Sequence, residues 1–320
     1  MWHGPCERLA NVTAFAFRGG HKLSISSGIP IVLGERRVLQ PGRLRRLRAV
    51  AWMVGMAVLI GLSLRVAMVP AQQLLPKGDP VLGLAASGIA CLFALGIYSL
   101  LVRLGEDRWP GELALKPAAG QLAIGLGLGS AMFVAVMTIL IGAGLYSVEW
   151  HGAAPAWRGA GLAMQSAVVE ELLVRGVILR LLWRAFGPAV AFAASAALFG
   201  LGHAFNPGAT VMSVVCIALE AGVMLGALYA LTGRLWMSIG VHAAWNFTQG
   251  YVFGAAVSGS DFGPSLARSV AHGDASVWLS GGSFGPEASL PALLVCGAVG
   301  VATLWLAARA GGFRGEAAAG

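Results

Sequence analysis

Charge is scarce in this chain. Asp, Glu, Lys and Arg together make up 11% of its 320 residues, against about 25% in soluble domains, which excludes an ordinary water-soluble globular protein. Cysteine is sparse and scattered: Cys6, Cys91, Cys216 and Cys296 form no CxxC or other ligand-like spacing. The last three lie in apolar runs, where cysteine acts as a small hydrophobe. There is no HExxH and no ExxH, so neither the common zinc-protease helix nor a di-iron bundle is encoded. No internal repeat and no matched pair of broken helices is present, which argues against a secondary transporter fold. No basic face with interleaved aromatics is found, so nucleic acid is not an expected partner.

What the chain has in abundance is apolar surface. Hydrophobic residues reach 57% and the mean hydropathy is +0.76. Windows of about 20 apolar residues mark membrane-crossing helices, and eight are read here, over 49–69, 81–102, 121–145, 160–183, 188–205, 209–231, 235–254 and 289–309. The fold class expected is therefore an all-α integral membrane protein, a bundle of about eight transmembrane helices. The first window is too long for a signal-peptide core and reads as a retained helix. Glycines inside these windows, among them Gly125, Gly127 and Gly129 and the GxxxG pair Gly222 and Gly226, have the spacing that lets helices approach closely in lipid.

The net charge of +8 is concentrated at one end. Residues 1–48 carry Arg8, Arg18, Lys22, Arg36, Arg37, Arg43, Arg45, Arg46 and Arg48 against Glu7 and Glu35. This arm reads as a cytoplasmic flank able to touch anionic lipid headgroups. With the arm inside, Arg103, Arg108, Lys116, Arg180, Arg184, Arg234, Arg309 and Arg314 fall on the same side, and only Lys77, Arg158 and Arg268 on the other. Both termini are expected in the cytoplasm, in what reads as a bacterial inner (plasma) membrane. The outer loop 255–288 includes GGSFGPEAS, Gly281 to Ser289, whose composition reads as turn-rich and structural, with Glu287 entering the last helix.

Against this oily background, polar residues at bilayer depth stand out. Glu170 and Glu171 are adjacent in the fourth window, where one carboxylate costs at least about 2.5–3.5 kcal/mol. Arg175 follows Glu171 by four residues, the favourable order for a helical ion pair. Glu170 points about 100° away and has no cation nearby in sequence, which makes it a candidate general base or acid. Phe199 and His203 have spacing i,i+4 in the fifth window. His242 and Asn246 have it in the seventh, where a histidine and an amide on one face could supply oxyanion donors. At about 1.5 Å per residue, Glu171, Asn246, His242 and His203 come to about 17, 16, 10 and 23 Å from the cytoplasmic helix ends. Glu220, in the sixth window, reads as a structural partner, of Arg175 for instance.

EExxxR, then FxxxH, then HxxxN, in that order and in membrane helices, resemble the three motifs of the CPBP family, the CAAX-processing and bacteriocin-processing intramembrane proteases that include the type II CAAX prenyl endopeptidases. The resemblance covers roughly residues 120–310, and the GGSFGPE loop is similar to that of bacterial members. It implies that Glu170 is the essential carboxylate, that His203 helps it hold a water, and that His242 and Asn246 stabilise the oxyanion, with Glu171, Arg175 and Phe199 supporting. It divides the chain into the basic arm 1–48, two helices with their loops over 49–120, a protease core over 121–310 and a short tail over 311–320. The expected function is hydrolysis of a peptide bond in a membrane-associated or prenylated substrate. A metal-free water activated by glutamate and histidine is preferred; a zinc ion held by Glu170, His203 and His242 is the alternative. Two other functions compete: a catalytically silent membrane scaffold or immunity factor, and a proton-coupled transporter.

Overall fold

The computed structural model describes residues 31–74, 79–152, 154–273 and 275–313. Residues 1–30 of the basic arm, Lys77 and most of the tail, Arg314 included, lie outside the described residues. Along the chain run α1 (Arg45–Leu74), α2 (Pro80–Glu106), α3 (Ala118–Gly142), strand β1 (Tyr146–Trp150) and α4 (Trp157–Glu171). Without a break, α4 passes into a π-helical stretch, π1 (Leu172–Leu179), and then α5 (Arg180–Phe186). Next come α6 (Pro188–Gly202), α7 (Val211–Ile217), π2 (Ala218–Val223), α8 (Met224–Thr232), α9 (Trp236–Phe247) and π3 (Thr248–Val252). Strand β2 (Ala267–Ala271), the one-turn α10 (Val277–Ser280) and α11 (Leu290–Arg309) complete the order.

The helices start and stop where local chemistry dictates. Asp79 caps α2, accepting hydrogen bonds from the Val81 and Leu82 amides at 2.9 and 3.1 Å, with Pro80 preset for the first turn. Thr210 and Ser213 form a reciprocal capping box at α7. Gly187 adopts φ +87° between α5 and α6, a left-handed turn that Pro188 then locks into a new helix.

Helical segments occupy all eight expected windows, and the molecule is an all-helical membrane protein in its main architecture, with 72% of the described residues helical. Among the described residues five helices are long and apolar enough to cross a membrane: Arg45–Val66, Val81–Glu106, Ala118–Gly142, Val211–Thr232 and Leu290–Arg309. The expected count of eight spans is thus met by five on length and composition. The other three segments fall short for physical reasons. The α4–π1–α5 run is interrupted by Glu170, Glu171, Arg175 and Arg180. At 1.5 Å per residue, the 15 residues of α6 reach about 22 Å, short of a hydrocarbon core of about 30 Å. The α9–π3 run is similarly short. These three are the segments that carry the polar motifs.

One addition to the all-α expectation is a small antiparallel sheet. β1 pairs with β2 in the register Tyr146↔Ala271 to Trp150↔Ala267, tying the loop after α3 to the long loop before α11.

Two packing features position the site. α3 and α9 lie in backbone contact: a Cβ added at Gly125 would sit 2.5 Å from the Met237 carbonyl oxygen, and one at Gly129 would sit 2.3 Å from that of Val241. Lacking a side chain at these points, α3 fixes α9 by close van der Waals contact. Gly127, in contrast, faces open space.

The second feature is a buried ionic cluster at the end of α2 nearest the basic arm. Arg180 holds Glu106 with two bonds of 2.8 and 2.6 Å. Arg108 reaches Glu106 at 2.7 Å and Glu112 at 2.8 and 2.9 Å. Tyr98 donates to Glu112, and Trp52 donates to Glu106 at 3.1 Å. Burial pushes the Glu112 carboxyl up, but the hydrogen bonds and charge of Arg108, with the charge of Arg180, outweigh it and hold the group down at about 2. Arg108 and Arg180, which as sequence read as cytoplasmic flank, are therefore spent on internal pairs. Part of the arm docks here too: Ile31 and Leu39 are buried, and Arg184 donates to the Gly34 and Leu39 carbonyls.

Candidate active site

The two glutamates at the end of α4 have different surroundings. Glu171 is wholly buried. Its Oε1 accepts from Arg175 Nη1 at 2.8 Å and lies 3.0 Å from His242 Nδ1 on α9. Arg175 in turn donates to the Ala221 and Gly222 carbonyls of π2, and its guanidinium lies over the Phe199 ring at 4.9 Å. Glu171 and Arg175 thus neutralise each other while tying three elements together. Removing either would strand a buried charge.

Glu170 keeps 33% of its side-chain surface exposed, and its Oε2 lies 3.8 Å from His242 Nε2. That oxygen is shielded from solvent and accepts no hydrogen bond from the described residues. The carboxylate lines a cleft of about 370 Å³ between the α4–π1 run and α6, in company with Leu173, Leu198, Phe199, His203 and Asn206.

His203 ends α6. Its Nδ1 lies 2.9 Å from the Phe199 carbonyl oxygen, and a carbonyl can only accept, so Nδ1 carries the proton. In the neutral ring Nε2 is then the free lone pair, the form suited to take a proton from water. The same reasoning gives His242 a protonated Nδ1 against the Glu171 carboxylate. Its Nε2 is directed toward Glu170, as an acceptor in the neutral ring or as a donor in the imidazolium.

Asn246 is buried one turn beyond His242, and its amide donates to Ser166 Oγ at 3.1 Å. Ser166 itself lies one turn before Glu170, so this bond ties α9 to α4 beside the glutamates. The two histidines also border a second, smaller cavity of about 50 Å³, to which Asn246, Glu220, Ser258 and Glu287 contribute. The geometry therefore gathers the sequence candidates around two adjoining spaces. Glu170 lines the larger cleft, His242 and Asn246 line the smaller cavity, and His203 and Phe199 form walls of both. Glu220 faces the inner cavity and forms no ion pair with Arg175 among the described residues.

Three π-helical stretches abut this region: π1 starts directly after Glu171, π2 contains Glu220 and π3 follows Asn246 by two residues. Such wide turns recur at functional sites because they redirect side chains that an α-helix would hold elsewhere.

Glu287 and Ser258 had not stood out as site residues in the sequence. Both come from the long loop before α11, which folds back over the bundle. Gly285 (φ +121°) permits this, since a Cβ there would lie 2.2 Å from the Ala256 carbonyl oxygen. The only sequence signal was the acid in GGSFGPE. For Ser166 the signal was its position four residues before Glu170, on the same helical face.

The metal alternative finds no ligand set. Among the described residues no three His, Cys, Asp or Glu side chains gather closely enough to hold an ion. Glu170 and His242 approach each other, but His203 does not join them in one coordination sphere, so the set Glu170, His203 and His242 does not fit zinc.

Residues 152–248 match the family described as type II CAAX prenyl endopeptidase, Rce1-like. The matched segment runs from before α4 to the start of π3 and contains all three motifs. No curated protein and no solved structure matches the chain.

Proposed function

With an Rce1-like segment at residues 152–248 as the premise, which supports CAAX-type membrane protease activity in general, we propose that the chain is an intramembrane endopeptidase in which Glu170 activates the attacking water. One observation carries this reading. Of the two adjacent carboxylates, Glu171 is committed to Arg175 and His242, while Glu170 is one-third exposed on a cleft that His203 also lines, and its Oε2 accepts no hydrogen bond from the described residues.

In this mechanism a water lies between Glu170 and the lone pair of His203 Nε2. Glu170 takes one of its protons as the hydroxide oxygen adds to the scissile carbonyl. The negative charge formed on the carbonyl oxygen is met by the Asn246 amide and by His242 Nε2–H, which Glu171 keeps oriented through Nδ1. Glu170 then returns its proton to the leaving nitrogen as the C–N bond breaks. No step passes through a metal.

The substrate proposed is a membrane-embedded or lipid-modified peptide, because the cleft is walled by Leu173, Val174, Ile178 and Leu198 around its polar end. In the full proposal the chain crosses a bacterial inner membrane eight times with both termini cytoplasmic, and the basic arm meets anionic headgroups. The test is proteomic. New peptide termini in membrane proteins should appear in cells carrying the native chain and disappear with Glu170→Ala; identical terminal profiles would count against the reading.

A further inference from the structure

Beside the histidines the proposed mechanism leaves two buried carboxyl groups unused. Glu220 on π2 and Glu287, just before α11, are each 3% exposed, and both line the smaller cavity that the histidines border. Neither forms an ion pair with a lysine or arginine among the described residues. Arg175 is spent on Glu171 and on the Ala221 and Gly222 carbonyls.

The two groups are bonded differently. Glu287 Oε1 accepts from the Ser258 amide at 2.8 Å and from its hydroxyl at 2.6 Å, the surroundings of an ionised carboxylate. Glu220 Oε1 is buried with no hydrogen-bond partner, so no donor among the described residues stabilises a charge on it. Burial pushes the Glu287 carboxyl up, and Ser258 and a charge on His203 pull it only part of the way back. The other titratable groups around the cavity are His203 from α6, His242 from α9, Cys216 from α7 and Cys296 from α11. Two carboxylates that border one buried cavity disfavour each other's ionisation, and a pair that interacts strongly titrates as a unit. A cavity of about 50 Å³ also exceeds the roughly 10–15 Å³ that one water needs, and its carboxyl, imidazole and amide groups offer that water its partners.

We propose that Glu220 and Glu287 hold one proton between them and, through water in the smaller cavity, form a second acid–base station beside His203 and His242. The role assigned to this station rests on the endopeptidase reading. Hydrolysis gives one proton of the water to the leaving nitrogen by way of Glu170. The new carboxylic acid must lose another; His203 Nε2 takes it and, because Nδ1 stays on the Phe199 carbonyl, the same nitrogen hands it to water in the second cavity, which His203 also walls, and so to the pair. The pair then carries two protons and releases one to bulk water before the next turnover, so the balance closes.

Infrared spectroscopy of the purified protein tests the pair without relying on turnover. At neutral pH a carboxylic C=O stretch that shifts in D2O is expected. It should persist in Glu170→Gln, vanish in Glu220→Gln and change frequency in Glu287→Gln and in Ser258→Ala. Absence of the band, or its persistence unchanged in all of these variants, overturns the shared proton. The second readout is the pH profile of peptide cleavage. Glu220→Gln and Glu287→Gln should each displace it by about one unit or more, with KM little changed. Unmoved profiles in both variants overturn the link to the histidines. A wild-type protein that shows the expected band but cleaves no peptide would count against the endopeptidase reading and leave the pair standing. If Glu220→Gln does not fold, Glu287→Gln and Ser258→Ala still decide the matter.

Discussion

Glu171 Oε1 lies 3.0 Å from His242 Nδ1 and 2.8 Å from Arg175 Nη1. One buried oxygen thereby binds the α4–π1 run to α9 and sets the direction in which His242 presents its other nitrogen. Everything proposed for the site follows from this division of labour, in which one glutamate orients and its neighbour reacts.

Replacing Glu171 should therefore damage folding before chemistry. Glu171→Gln leaves Arg175 as an uncompensated buried cation and should cost about 3–5 kcal/mol. Glu171→Gln with Arg175→Gln should recover part of that loss. Thermal unfolding of the detergent-solubilised protein checks this; a double variant less stable than Glu171→Gln would contradict the pairing.

The backbone contact between α3 and α9 makes a positional prediction. Gly129→Ala places a methyl group against the Val241 carbonyl and should cost about 1–3 kcal/mol by overpacking, displacing α9 and with it His242. Gly127→Ala faces open space and should be neutral or slightly stabilising, since alanine favours a helix. Equal effects of the two substitutions on stability and cleavage would refute the contact.

The ionic cluster at the end of α2 should make stability acid-sensitive. The Glu112 carboxyl is held at about 2, below its ordinary value of 4.5. Between these values the unfolded chain binds a proton that the native protein does not. The stabilisation is thus complete above about pH 4.5 and lost as pH falls toward 2. Unfolding measured across this range should show a slope that Glu112→Gln flattens. That variant should also be less stable at neutral pH.

Asn246 should matter in the transition state more than in binding. Asn246→Ala is expected to lower kcat by about 10²–10³-fold, as loss of one oxyanion donor does elsewhere, with KM nearly unchanged. A rise in KM at constant kcat would place Asn246 in ground-state binding instead.

Much of the frame was legible before any coordinates. The eight helical segments follow from apolar windows, and the conspicuous polar residues Glu170, Glu171, Arg175, His203, His242 and Asn246 announced themselves because charge and hydrogen bonding are costly among apolar neighbours. Other features left little local trace. β1 and β2 are five-residue strands more than a hundred positions apart, and neither has enough alternation to signal its partner. The π turns have backbone angles close to those of an α-helix, at Leu172 φ −60° and ψ −48°, so composition does not reveal them. Arg108 and Arg180 read as membrane flank because a charge shows its sign in sequence but not its burial. Glu287 reads in sequence as a helix-entry residue because only the fold of the long loop brings it back to the cavity.

The central claim is that Glu170, and not its neighbour, activates water. The direct measurement is single-turnover cleavage of a lipid-modified peptide by purified Glu170→Gln, with folding monitored in parallel. The account predicts a monodisperse, folded protein whose cleavage rate falls by about 10²–10⁴-fold, the scale of a lost general base, and which no second substitution at Arg175 restores. Wild-type cleavage by folded Glu170→Gln would contradict it.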